Sequence, residues 1–137
     1  MMKEGADGVW GHFSKAWPWH SERMEPAFDS GLPDVLLKDI RGNAGLCELK
    51  APDKLFLRPS QKAWIRRWQD SGSCAIPIVT CDNVNGRIQW KVMRFFRVGG
   101  GGSYLSSALK KDADRWINKD EMIHLVCVMN GLEPYLE

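Results

Sequence analysis

Glu48-Leu49-Lys50 sets a carboxylate and an ammonium two residues apart, and on a β-strand the side chains at i and i+2 leave the same face. Alone the triplet says little. With 17 acids and 10 lysines in 137 residues, chance supplies about one acid-x-Lys triplet, and a surface ion pair is its ordinary meaning. Asp34 raises the odds. It follows Gly31-Leu32-Pro33 at the head of a short apolar run, and a hairpin joining that run to the next would bring its carboxylate beside that of Glu48. Two carboxylates and one lysine suit a hard divalent cation, because Mg²⁺ takes oxygen ligands, keeps several waters and is held by one or two carboxylates plus a substrate phosphate. The Leu49 carbonyl offers a further oxygen. Lys50 would then orient an attacking water or offset charge building on a phosphate, where phosphodiester hydrolysis needs help.

Other side chains bear on that chemistry. Gln61 shares a helical face with Trp64, Ile65 and Trp68, and a polar group there needs a partner: either the site, or solvent and the helix's own first turn. Lys54, Arg58, Lys62, Arg66 and Arg67 run without an acid from Lys54 to Gln69, in a chain whose net charge is only +2. The stripe is a solvated helix face or a phosphate track that would position a nucleic-acid backbone without reading its sequence. Of seven tryptophans, Trp64 and Trp68 fit a buried helix face, Trp90 a strand and Trp116 the approach to the last helix. Trp17 and Trp19, flanking Pro18, read as loop-borne and open to substrate contact. His20 beside them is structural or a general base.

The elements that must position these groups follow from periodicity. Val9, Trp10 and Phe13 predict a helix over 8–17 that stops before Pro18, and Arg23–Phe28 reads as extended. After a turn at Asp29-Ser30-Gly31, Pro33–Leu37 and Ala44–Lys50 form a hairpin about the turn Arg41-Gly42-Asn43. Pro59 suits the first position of a helix over 59–70, which Ser71-Gly72 ends. Cys74–Cys81 and Ile88–Phe96 are strands around a turn at 82–86, with Pro77 implying an edge position or a bulge. Gly99-Gly100-Gly101-Gly102-Ser103 reads as a flexible loop over the site. Asn118 with Glu121 caps a packing helix over about 119–130, whose Met122, Leu125, Val126 and Met129 recur at helical spacing. This order predicts an α/β fold, a mixed sheet flanked by helices, as one domain over 1–137.

Arg23-Met24-Glu25, Gly31-Leu32-Pro33-Asp34-Val35, Cys47-Glu48-Leu49-Lys50 and Leu57-Arg58-Pro59-Ser60-Gln61, in that order over about residues 20–82, resemble the motifs of the PD-(D/E)xK nuclease superfamily. The similarity is greatest to its VRR-NUC and phage-type Holliday-junction-resolvase-like members. The resemblance implies a restriction-endonuclease-like fold and a metal-dependent endonuclease acting on DNA, branched or otherwise structured. It implies that Asp34 and Glu48 bind Mg²⁺ or Mn²⁺, that Lys50 is the catalytic lysine and that Gln61 is the motif glutamine of the following helix. For the family's acid on or near its first helix, Glu25 is the first choice, with Glu4 and Glu22 as rivals. A homodimer and a phage or mobile-element source are implied in the same way. The competing function is a non-catalytic DNA-binding or inhibitory protein that keeps the fold.

Composition sets the outer bounds. A chain 44% hydrophobic and 26% charged, with 13 Gly and 7 Pro, has the make-up of a globular domain and not of a disordered or fibrous one. No apolar run approaches the roughly 20 residues that cross a bilayer, and two acids and a glycine among the first seven residues do not read as a secretory leader, so the cytoplasm (the host's, if the chain is phage-encoded) is expected. Cys47, Cys74, Cys81 and Cys127 lack Cys-x-x-Cys spacing and are expected as reduced core residues, with no zinc site.

Overall fold

In a computed structural model, residues 5–24, 30–72, 74–97, 103–107 and 115–133 are described. The chain forms α1 (Gly5–Ala16), β1 (Ser21–Arg23), β2 (Val35–Lys38), β3 (Ala44–Leu49), α2 (Pro59–Asp70), β4 (Ile78–Val84), β5 (Arg87–Arg97), β6 (Ser103–Ser107) and α3 (Lys119–Met129). The strands make one mixed sheet in the order β1-β2-β3-β4-β5-β6, and only the β3–β4 pair is parallel, with α2 in the connection between them. It is the expected α/β single-domain fold, consistent with a restriction-endonuclease-like arrangement.

Alternation along each strand divides the core in two. Val35, Leu37, Cys47, Leu49, Val79, Cys81, Trp90 and Val92 turn to one face, where Val9 and Phe13 of α1 and Met122, Ile123, Val126 and Cys127 of α3 cover them. Ile78, Met93 and Phe95, with Leu46 and Leu105 at the margin, turn to the other and meet Ile65 of α2. Three layers result, and Glu48, Lys50 and Thr80 fall by the same alternation on the face that α2 covers.

The β2–β3 hairpin closes on Asp39, a buried residue whose Oδ1 accepts from the N–H groups of Arg41 and Asn43, both at 2.9 Å, while Oδ2 accepts from the Glu133 N–H at 3.0 Å. At the other end of the chain Asn118 Oδ1 accepts from the Glu121 N–H at 2.8 Å, the expected cap of α3. Asn130, just past that helix, clasps β3: its Oδ1 accepts from the Leu46 N–H at 2.9 Å, and its Nδ2 donates to the Leu46 carbonyl at 3.1 Å. The amide thus fills the ladder where β3 extends beyond β4. Asn130→Ala leaves both backbone groups without those partners, and urea unfolding should show a loss of about 2 kcal/mol. A loss within measurement error would mean that water replaces the clasp at no cost.

Several expectations are corrected. β4 starts at Ile78 and lies inside the sheet between β3 and β5, so Pro77 is neither in an edge strand nor at a bulge; it precedes the ladder, where its missing N–H costs nothing, and its carbonyl accepts from the Glu48 N–H at 3.0 Å. β4 continues through Val84, and the turn is only Asn85-Gly86, whose φ values of +54° and +83° fit a tight hairpin. β6 takes Ser103 into a strand that was not foreseen, while the rest of the Gly99–Ser103 loop lies outside the described residues. Of the extended segment Arg23–Phe28, only Arg23 and Met24 are described. Trp17 is a core residue: it is buried, stacks on Phe13 and donates from Nε1 to the Lys38 carbonyl at 2.9 Å, while only Trp19 beside it is partly exposed. Trp68 is not on a buried face but exposed. All four cysteines are free thiols, but Cys74 is exposed instead of in the core. Among the described residues no helix is long and apolar enough to cross a membrane.

Candidate active site

The hairpin register carries Asp34 to Glu48. Val35 pairs with Cys47, so one step further Asp34 stands opposite Glu48, where cross-strand side chains are about 5 Å apart. The Asp34 Oδ1 accepts from the Leu49 N–H at 2.9 Å, which pins the carboxylate across the end of β3. N–H and C=O of one strand residue leave by the same edge, so the Leu49 carbonyl also faces the Asp34 side. Asp34 is itself tied outward, its carbonyl accepting from the Met24 N–H at 2.7 Å.

Gln61, in the first turn of α2, closes the arrangement from above. Its Nε2 donates to Glu48 Oε2 at 2.9 Å, while its Oε1 accepts from Lys50 Nζ at 2.8 Å and from the Arg58 N–H at 2.9 Å. Both readings of Gln61 therefore hold at once: it completes the helix start and reaches the site. Lys50 Nζ lies 3.7 Å from Glu48 Oε2, so the amide bridges an ion pair that direct contact leaves loose. Pro59 at the head of α2 and the extended backbone at Arg58 aim that turn at β3.

The electrostatics follow from burial. Glu48 is 4% exposed; desolvation, then the charge of Asp34, push its carboxyl up to about 8 against the weaker pull of Lys50, the Asp34 N–H and Arg58. Burial raises Asp34 as well, opposed by the Leu49 N–H, by Arg23 and by Lys50. Desolvation lowers Lys50, with Glu48 acting against it and Arg58 with it. Two acids thus share one half-buried lysine, and a hard divalent cation fits because it adds the positive charge that the pair lacks. Asp34, Glu48 and the Leu49 carbonyl are the groups that would hold it. Among the described residues no cluster of three or more His, Cys, Asp or Glu gathers for a metal, so the set rests on two carboxylates and a backbone oxygen.

The remaining candidates distribute as follows. Glu4 and Glu25 lie outside the described residues. Glu22 is exposed and its carboxylate lies 3.8 Å from His20 Nε2. Arg58 stands at the site's rim; Lys54 and Arg67 are exposed, and Lys62 and Arg66 are partly buried along α2. Sequence reasoning missed Thr80. By the parallel register it stands beside Lys50, its side chain is buried, and its Oγ1 has no hydrogen-bond partner among the described residues. Only the β3–β4 pairing could have revealed it.

Neither a protein-family model, a curated protein nor a solved structure matches the chain.

Proposed function

We propose that this protein is a metal-dependent endonuclease that hydrolyses DNA phosphodiester bonds, with branched or structured DNA as its substrate. The observation that carries the reading is the cross-strand pair Asp34 and Glu48 joined through Gln61 to Lys50. A surface ion pair requires none of this, because it needs no second buried acid and no bridging amide. Bound there, Mg²⁺ or Mn²⁺ would supply Lewis acidity and the missing positive charge. Lys50 holds a fixed ammonium at the rim, suited to orient an attacking water and to offset charge growing on a phosphate. Gln61 keeps that ammonium and the Glu48 carboxylate in mutual register, and the basic side chains from Lys54 to Arg67 hold the DNA backbone. A homodimer would present two such sites to two strands, and the cytoplasm, where DNA is accessible, is the compartment that goes with this activity.

The test is cleavage of labelled duplex, single strand, flap and four-way junction with Mg²⁺ or Mn²⁺, comparing wild type with Lys50→Ala and Asp34→Ala. Wild type should cut, and both variants should bind but cut at least about 100-fold more slowly, as expected when a transition-state contact is lost. Binding without cutting under either metal would replace this reading with the non-catalytic DNA-binding or inhibitory protein.

A further inference from the structure

Phe56, Trp68 and Val128 are the exposed large hydrophobic residues of the described chain. Two of these three fall inside the acid-free basic stretch from Lys54 to Gln69. Trp68, 37% exposed, sits in the last turn of α2 and stacks on Trp64 with ring centroids 5.2 Å apart and planes 16° from parallel. Phe56, 60% exposed, stands just before the helix begins. Trp64 is partly buried against the Ile65 core, so the ring beneath is held by packing while the one above is open to solvent.

An open ring on a fixed ring is a stack that lacks its next member, and every nucleobase has a π-face to supply one. Exposed Arg67 adjoins Trp68, and exposed Lys54 and Arg58 flank Phe56, so each ring has a cation within reach of a phosphate. A paired duplex keeps its bases stacked on one another and offers such rings nothing; a strand with unpaired bases offers both face and backbone. We infer that Trp68, seated on Trp64, and Phe56 form a stacking platform for unpaired nucleotides along α2, so that the DNA the protein engages carries a single-stranded segment. The inference rests on the nuclease reading of the preceding section and narrows its substrate. Phe56 precedes α2 and Trp68 stands in its last turn, and the rise from Pro59 to Trp68 is about 14 Å, which is about four nucleotides of a stacked strand.

Fluorescence anisotropy in EDTA, where no cutting intervenes, tests it with a labelled single strand, a flap and a blunt duplex. Trp68→Ala should weaken the single strand and the flap about tenfold and the duplex less than twofold, the order that one base–aromatic stack contributes. Trp68→Phe should restore most of the loss, and Phe56→Ala should show the same selectivity. Unchanged affinity, or an equal loss on all three DNAs, overturns the platform, as does a slower-sedimenting species for DNA-free Trp68→Ala than for DNA-free wild type, which would make the patch an interface between copies. Arg67→Glu separates the two levels. If it weakens every DNA while Trp68→Ala weakens none, the platform falls while DNA binding along the basic stretch stands, and the nuclease reading is then decided separately by the metal-dependent cleavage panel; if wild type binds no single strand or flap, the platform falls.

Discussion

Glu48→Gln should make the protein more heat-resistant at pH 8 while abolishing its cutting. The Glu48 carboxyl holds its proton up to about pH 8 in the folded state and releases it near 4.5 when unfolded. Between those values the folded chain binds more protons than the unfolded one, so stability falls as pH rises through the window and levels off above about 8. Asp34 is raised too and adds in the same direction, whereas the depressed Lys50 acts only at the alkaline end. A glutamine presents the shape of the neutral carboxyl at every pH and can still accept from Gln61. The cost removed at pH 8 is on the order of a few kcal/mol, or a melting midpoint higher by about 5–10 °C, and at pH 4.5 the two proteins should melt together. Mg²⁺ should raise the wild-type midpoint at pH 8 and leave that of Glu48→Gln unmoved. Differential scanning calorimetry across pH decides it: a wild-type midpoint flat from pH 5 to 8, or a variant less stable than wild type at pH 8, would remove the strained acid pair from the account.

Gly31→Ala is the second large effect, and it acts through the backbone. Gly31 has φ +78°, a region that side chains disfavour by about 1–2 kcal/mol. A Cβ there would also land on the Ser60 carbonyl oxygen and lie 2.5 Å from its carbon. Both are main-chain atoms of the first turn of α2, so no rotamer change can make room. Either the chain leading into β2 or the head of α2 must move, which parts Asp34 from the turn that carries Gln61. Urea unfolding should show a loss of about 3 kcal/mol or more. Gly72→Ala is the control, since Gly72 has φ +84° and open space around it; it should cost only about 1 kcal/mol. A Gly31 variant no worse than that control would mean that the contact between β2 and α2 is slack.

How far the sequence foretold the molecule depended on whether a feature was local. The β2–β3 hairpin was legible because two short, largely apolar runs, Pro33–Leu37 and Ala44–Lys50, flank the turn Arg41-Gly42-Asn43, and α2 spans Pro59–Asp70 as its starting proline and stopping glycine imply. Asp34, Glu48, Lys50 and Gln61 were legible for the same reason, since each is fixed by hairpin register or by one helical turn. β6 was not, because Ser103–Ser107 is a short polar stretch after a glycine run and is a strand only where β5 offers its edge. Trp68 was misjudged because a helical wheel gives direction but not how far the sheet reaches under the last turn. Thr80 escaped because a parallel register is set by a crossover, and no residue near it in sequence records which strand will lie alongside.

Every strand of this sheet lies beside its neighbour in the chain, and only β3 and β4 are separated by a long connection. As the polypeptide leaves the ribosome, the contacts among β1, β2 and β3 are the most local of the sheet apart from the later hairpins and become possible once Leu49 has emerged, which would set Asp34 opposite Glu48 before α2 follows. At that stage Glu48 has no glutamine to receive and Lys50 has nothing to hold it. α2 must then fold back and β4 must slide in alongside, and Asn130 fastens β3 only when almost the whole chain exists. A chain that ends before Pro59 would therefore hold both acids but lack the Gln61 amide that ties Glu48 to Lys50.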